Sequence, residues 1–206
     1  MRDRIGELPF DLDADVTARS LLGHTLTRTL DTGETLRGII IETEAYTGPE
    51  DQCSHARNGH RSPRNESMWA KPGTAYVYFT YGMHHCFNVS CFEEGHPAAV
   101  LIRSLAPIEG LGTMRLNRTS PRRRTPIPDS DLTSGPAKLC QALRIDRDLD
   151  GEDLTTSTRI RIEPGDQIPD GVVDNTPRIG VGDSSWAQKP LRWVVRKKWV
   201  EQRMRF

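Results

Sequence analysis

Residues 71–91 read KPGTAYVYFTYGMHHCFNVSC, and the fold depends on how this stretch pairs with itself. Thr74 to Tyr81 is dense in β-branched and aromatic residues, and so is His84 to Cys91. Only Gly82 and Met83 separate the two runs, and Pro72-Gly73 punctuates the front. This spacing predicts a β-hairpin closed by a two-residue turn. Three of the chain's four tyrosines, Tyr76, Tyr78 and Tyr81, lie in it. Alternation puts Tyr76 and Tyr78 on one face and leaves Tyr81 at the tip. A large ring there either packs against another element or is a wedge for something outside the molecule.

Outward from the hairpin, strands are expected at His24–Leu30 and Thr35–Tyr46, joined by Asp-Thr-Gly-Glu, and at Ala98–Leu105, Arg159–Ile162 and Leu191–Val195. Asp11–Leu22 reads as a helix with Ala14, Ala18, Leu21 and Leu22 as its apolar stripe and Gly23 as its end. Pro107–Arg115 reads as a short helix weakened by Gly110 and Gly112. Ser134 is the expected N-cap of another, with Pro136 in the first turn and Leu139, Ala142 and Leu143 on the buried face. Residues 1–9 read as a loose lead-in. Thr47–Ala70 is a long polar connection, usually functional or ordered by what it binds. Residues 117–131, carrying Arg122, Arg123 and Arg124 among prolines, read as a mobile basic loop.

Composition excludes several classes. The 206 residues suit one domain, and no internal repeat or linker divides them. No apolar run approaches the roughly 20 residues of a membrane span, and no signal core is present. The chain begins close to its first helix without a targeting tail, which points to a bacterial cytoplasm, or to the nucleus in a eukaryote. Four cysteines without CxxC spacing argue for a reducing compartment. The 28 basic and 28 acidic residues cancel, so any surface for nucleic acid must be local.

A second stretch, Ile39-Ile40-Ile41-Glu42-Thr43-Glu44-Ala45-Tyr46, carries chemistry. Three isoleucines bury the strand, and period-2 geometry then places Glu42, Glu44 and Tyr46 on one face. Carboxylates two apart repel unless one has a partner. Either one holds a structural arginine and the other faces solvent, or one is a general base in a partly dry pocket.

Glu42-Thr43-Glu44-Ala45-Tyr46 is followed in order by Gly48-Pro49-Glu50-Asp51, His55, Pro63-Arg64-Asn65, Lys71-Pro72-Gly73 and Tyr76-Val77-Tyr78. Tyr81-Gly82-Met83, Asn88, Arg103, residues 134–143 (SGPAKLCQAL), Gly180-Val181-Gly182 and Lys189-Pro190-Leu191-Arg192 complete the series. Together these closely resemble the alkyladenine (3-methyladenine) DNA glycosylase family over nearly the whole chain, and residues 78–86 resemble its bacterial branch.

The resemblance implies a base-flipping enzyme that extrudes a nucleotide into a pocket. It makes Tyr81 the residue that intercalates, as a minor-groove wedge does. Tyr46, His55 and Tyr78 become pocket walls, suited to a cationic methylated purine by stacking and cation–π attraction. Asn88 crowds the amino group of normal guanine. His55 reads equally well as a hydrogen-bonded loop histidine. Glu44 is the implied catalytic residue, activating a water for attack on C1′ and stabilising oxocarbenium-like charge. Arg103 helps to place that water, or is the structural partner of Glu42. Arg64, Lys71 and Lys138 are the implied backbone contacts. No lysine stands in the pocket motif, so no Schiff-base strand cleavage is expected.

The expected partner is double-stranded DNA containing damaged purines (3-methyladenine, 7-methylguanine, hypoxanthine or ethenoadenine), bound by a monomer without cofactor or membrane. A metal site built from Cys53, His55, His60, His84, His85 and Cys86 is disfavoured, because the spacings match no zinc pattern. A non-catalytic minor-groove binder is the main rival. A paired-carboxylate sugar hydrolase fits poorly, since neighbours on one strand face do not flank a bond. Hairpin count and resemblance together predict an α+β fold: a single mixed domain over residues 1–206. It would have a curved, mostly antiparallel sheet, short surrounding helices and a protruding hairpin.

Overall fold

The structure is a computed structural model that describes residues 8–80, 82–119 and 125–203. In chain order its main elements are α1 (Ala14–Ser20), β1 (Thr25–Thr29), β2 (Thr35–Tyr46), β3 (Ala75–Thr80), β4 (His84–Cys91) and β5 (Ala98–Glu109). Then follow α2 (Leu111–Arg118), α3 (Pro136–Leu143), β6 (Ile160–Glu163), β7 (Val173–Thr176), β8 (Arg192–Val195) and α4 (Lys197–Arg203). The strands form one sheet in the order β3-β4-β5-β2-β1-β6, with β8 also on β2 and β7 on β8. Every pairing is antiparallel. The α+β class is therefore as expected.

The sheet is two-faced, and alternation along β3 shows it. Ala75 and Val77 enter the main core with Leu21, Leu22, Leu36, Ile40, Ile102, Leu105 and the α3 residues Leu139, Ala142 and Leu143. Tyr76 instead joins a small cluster with Ala56, Met68 and Ala99, against which Trp69 and Tyr78 pack. The main core carries the bulk of the hydrophobic stabilisation, at roughly 25 cal/mol per Å² buried. The small cluster fixes the rings of the site.

Several expectations needed revision. The hairpin connection has three residues, since Thr80 pairs with His84. The Met83 N–H donates to the Thr80 carbonyl at 3.3 Å, and Gly82 takes φ +68°, in the left-handed region that favours glycine. β5 continues to Glu109, and the next helix starts only at Leu111, after Gly110 at φ +77°. Of the three isoleucines only Ile40 is fully buried, because alternation along the strand puts Ile39 and Ile41 on the other, half-buried face. Gly135, not Ser134, caps α3, at φ +114°. The Ser134 hydroxyl is turned to Asp131 Oδ1 at 2.6 Å.

Leu8 packs against the core and Pro9 accepts a hydrogen bond from the Thr17 hydroxyl at 2.9 Å, so the lead-in is pinned at its inner end. Residues 117–131 are also less free than expected. Asn117 and Arg118 belong to α2, Ile127 is buried, and Arg115 pairs with Asp129. The Arg122–Arg124 run lies outside the described residues. The long connection after Tyr46 is ordered by its own side chains. Buried Asn65 accepts from the Ser62 N–H at 2.7 Å and donates to the carbonyls of His55 and His60 at 3.2 and 2.9 Å.

Candidate active site

β2 holds the site because it changes partners halfway. Its first half pairs with β1, as in Thr25 with Ile39, and its second half with β8, as in Glu44 with Arg192. β5 runs beside both halves, and that ladder slips twice near the carboxylates. Ile41 is the extra residue between the Ile40–Leu105 and Glu42–Ser104 pairs, and Arg103 is the extra residue between Ser104 and Ile102. A bulge re-aims the side chain it carries. Here it delivers the Arg103 guanidinium to both carboxylates.

Arg103 Nε donates to Glu42 Oε1 at 2.9 Å, and its Nη1 lies 3.0 Å from Glu44 Oε1. Glu42 takes a second guanidinium, Arg192 Nη1, at 2.6 Å. Arg103 is thus a structural partner of Glu42, and it reaches Glu44 as well. Glu44 has 0% of its side chain exposed, so its charge depends on these partners. Besides Arg103, Glu44 Oε1 accepts from the Ile179 N–H at 2.8 Å, and Oε2 accepts from the Tyr46 hydroxyl at 3.1 Å. Burial pushes its pKa above the usual value, and Arg103, the Ile179 N–H and the Tyr46 hydroxyl hold it back. Burial, followed by the Glu44 charge, raises the Tyr46 phenol well above its ordinary value, which keeps it a donor.

The aromatic wall grows from β3 and from the connection after β2. His55 Nδ1 is 2.7 Å from the Tyr76 hydroxyl. Its ring meets Tyr78 edge-on at 4.5 Å between centroids, and Tyr76 lies 5.3 Å from Tyr78. Burial, then the nearby Arg64, Arg57 and His60 side chains, lower the His55 pKa to about 4, so the ring is neutral at pH 7. Asn88, directly opposite Tyr76 on β4, is buried and donates to the Tyr76 carbonyl at 2.9 Å. The buried Cys86 thiol joins wall to carboxylates, because it contacts Tyr78 and feels the charges of Arg103, Glu44 and Arg64.

Glu44, Tyr46 and Arg103 thus form one network, and His55, Tyr78 and Asn88 form the wall beside it. Arg64 is exposed, with its guanidinium 5.5 Å over the Tyr78 ring at the edge of this site. Lys71 and Lys138 belong to neither network: they pair with Asp153 at 2.8 Å and Asp131 at 2.5 Å. Tyr81 lies outside the described residues; its neighbours Phe79 and Met83 are 45% and 70% exposed. Among the described residues, no three His, Cys, Asp or Glu side chains gather as a metal set.

Asp51 and Arg192 stand in the motif series but carried no assigned role, and Arg178 and the Ile179 N–H were missed altogether. Arg178 stands alone in a polar loop, and its partner is 127 residues away. A backbone donor leaves no side-chain signature at all.

These residues set a cluster of aromatic rings beside a buried carboxylate, and the chain belongs to the methylpurine-DNA glycosylase family, whose model matches residues 9–199. Among its relatives is the DNA-3-methyladenine glycosylase of Mus musculus, 48% identical over 204 residues, covering 96% of this chain and 61% of that protein. The protein of the same name from Homo sapiens is 47% identical over 203 residues, covering 96% of this chain and 67% of the relative. A Herpetosiphon aurantiacus protein provisionally assigned as a 3-methyladenine DNA glycosylase is 43% identical over 183 residues, covering 87% and 80%. Bacterial relatives thus stand in the same family, in keeping with the bacterial-type branch. The chain spans about two thirds of the length of the mammalian relatives.

Proposed function

We propose that the protein is a monofunctional DNA N-glycosylase that takes an alkylated or deaminated purine out of the duplex and hydrolyses its N-glycosidic bond with water activated by Glu44. The observation that carries this reading is a carboxylate with no exposed surface, held by three donors beside a cluster of aromatic rings. The water oxygen bonds to C1′, the C1′–N bond breaks, the electron pair leaves with the base, and Glu44 accepts the water's proton. Positive charge developing on the sugar lies near a carboxylate shielded from water, where charge–charge attraction is several-fold stronger than in bulk solvent.

The wall residues fit the leaving base. Tyr46 and Tyr78 offer ring faces to a purine made cationic by methylation at N3 or N7. A neutral His55 adds no opposing charge to that base. Asn88, tied to the Tyr76 carbonyl, is a fixed obstacle to the amino group of normal guanine. Tyr81 enters the stack in place of the extruded nucleotide, and Arg64, Lys71 and Lys138 contact the DNA backbone. A methylated base leaves without protonation, whereas hypoxanthine or ethenoadenine requires a proton at the base.

The test is chromatography of free bases from duplexes containing 3-methyladenine, 7-methylguanine, hypoxanthine or ethenoadenine, with the DNA strand run on a denaturing gel. Release of a damaged base, with the strand intact until alkali is added, is the expected result. Tight binding to all four duplexes without release of any base would instead establish the minor-groove binder.

A further inference from the structure

Arg178 and Asp51 form an ion pair with 0% of either side chain exposed. Arg178 Nη1 donates to Asp51 Oδ2 at 2.5 Å, and Nη2 to Oδ1 at 2.8 Å, a two-pronged geometry. Each partner is bound again. Asp51 accepts from the Cys53 N–H at 2.9 Å and the Thr47 N–H at 3.3 Å. Arg178 donates from Nη1 to the Ala45 carbonyl at 2.8 Å. The pair therefore fastens the turn after β2 to the loop between β7 and β8. The next residue along that loop supplies the Ile179 N–H to Glu44 at 2.8 Å. Just before the fastened turn, β2 ends on Tyr46, whose ring has the Arg178 guanidinium 4.7 Å from its centroid.

A stable loop does not need this arrangement. Burying two charges costs several kcal/mol per ion before their attraction is counted, and packed apolar residues often serve as well. What the ion pair adds is the placement of two of the three donors around Glu44. We infer that Arg178, held by Asp51, is a positioning residue for the reaction: it fixes the Ile179 N–H and the Tyr46 ring so that Glu44 stays ionised and aimed. This inference rests on the proposed role of Glu44 as the water-activating base.

Its signature is a pH profile. If the N–H drifts away, Glu44 loses a stabilising partner for its charged form, its pKa rises, and the acid limb of base release moves to higher pH. The experiment measures single-turnover release of 7-methylguanine across pH for the native chain, for Arg178→Lys, and for the double variant Asp51→Asn with Arg178→Gln, which removes both charges together. Circular dichroism reports folding, and affinity for a duplex containing an abasic-site analogue reports DNA binding.

The expected result is folded variants that bind this duplex within about threefold of the native chain. Their acid limbs are raised by about one pH unit, and their plateau rates fall by about tenfold or more. Folded variants with an unshifted acid limb overturn the inference, whatever their plateau rates. Loss of folding in both variants overturns it too, since the pair would then serve the fold and not Glu44. If the native chain releases no base, the underlying functional reading fails instead, and the two failures are told apart.

Discussion

Glu44 and His55 show how burial shifts the titration of an acid and a base in opposite senses. Burial raises the Glu44 pKa, so base release is expected to rise with pH along an acid limb that lies above the ordinary glutamate value of about 4.3. A pH–rate profile checks this; a limb at or below that value contradicts the role given to burial. His55 behaves in the opposite sense. Its pKa falls from 6.5 when unfolded to about 4 in the fold, so the unfolded chain binds more protons between those values. The stability tied to its neutral ring is present above pH 6.5 and is lost progressively as pH falls to about 4. Melting temperatures across that window are expected to fall less steeply for His55→Gln than for the native chain.

Gly73, at the entry to the β3–β4 hairpin, has φ +85°, and an added Cβ would lie 2.8 Å from Phe10 Cδ2. Its N–H and carbonyl are both used, by the Ser90 carbonyl and the Leu154 N–H, each at 2.8 Å, so the backbone has little room to shift. Gly73→Ala is expected to destabilise the fold by about 1–3 kcal/mol in urea titrations. That hairpin was legible in the sequence because alternation and ring-rich runs are local signals. β2 was legible as a strand for the same reason, and so was the shared face of Glu42, Glu44 and Tyr46. Its change of partner from β1 to β8 was not, nor was the bulge that aims Arg103. Both depend on which distant strand arrives, and no local pattern records that. The Gly135 cap was missed for a related reason: Ser134 is a good capping residue, but Asp131 takes its hydroxyl. Family resemblance named the residues that gather around Glu44, though Lys71 and Lys138 lie apart from them, whereas Arg178 and the Ile179 N–H make contacts more than 120 residues apart in sequence.

Charge balance governs the whole molecule. With 28 basic and 28 acidic residues, the proposed affinity for DNA has to come from a few local cations, and its salt dependence would count them. Arg64 is exposed over Tyr78 and has no carboxylate partner among the described residues, whereas Lys71 and Lys138 each hold one. Arg64→Ala is therefore expected to flatten the plot of log affinity against log salt by about one, and Lys71→Ala and Lys138→Ala by less. Titrations of a damaged duplex at several salt concentrations give these slopes directly. Glu44 is the residue on which the proposed chemistry turns. The most direct measurement compares single-turnover release of 3-methyladenine by the native chain and by Glu44→Gln, with duplex affinity measured alongside. At least about a hundredfold loss of release is expected, with affinity kept within a few-fold. Release within a few-fold of native by the glutamine variant would contradict it, and would place the water-activating group elsewhere.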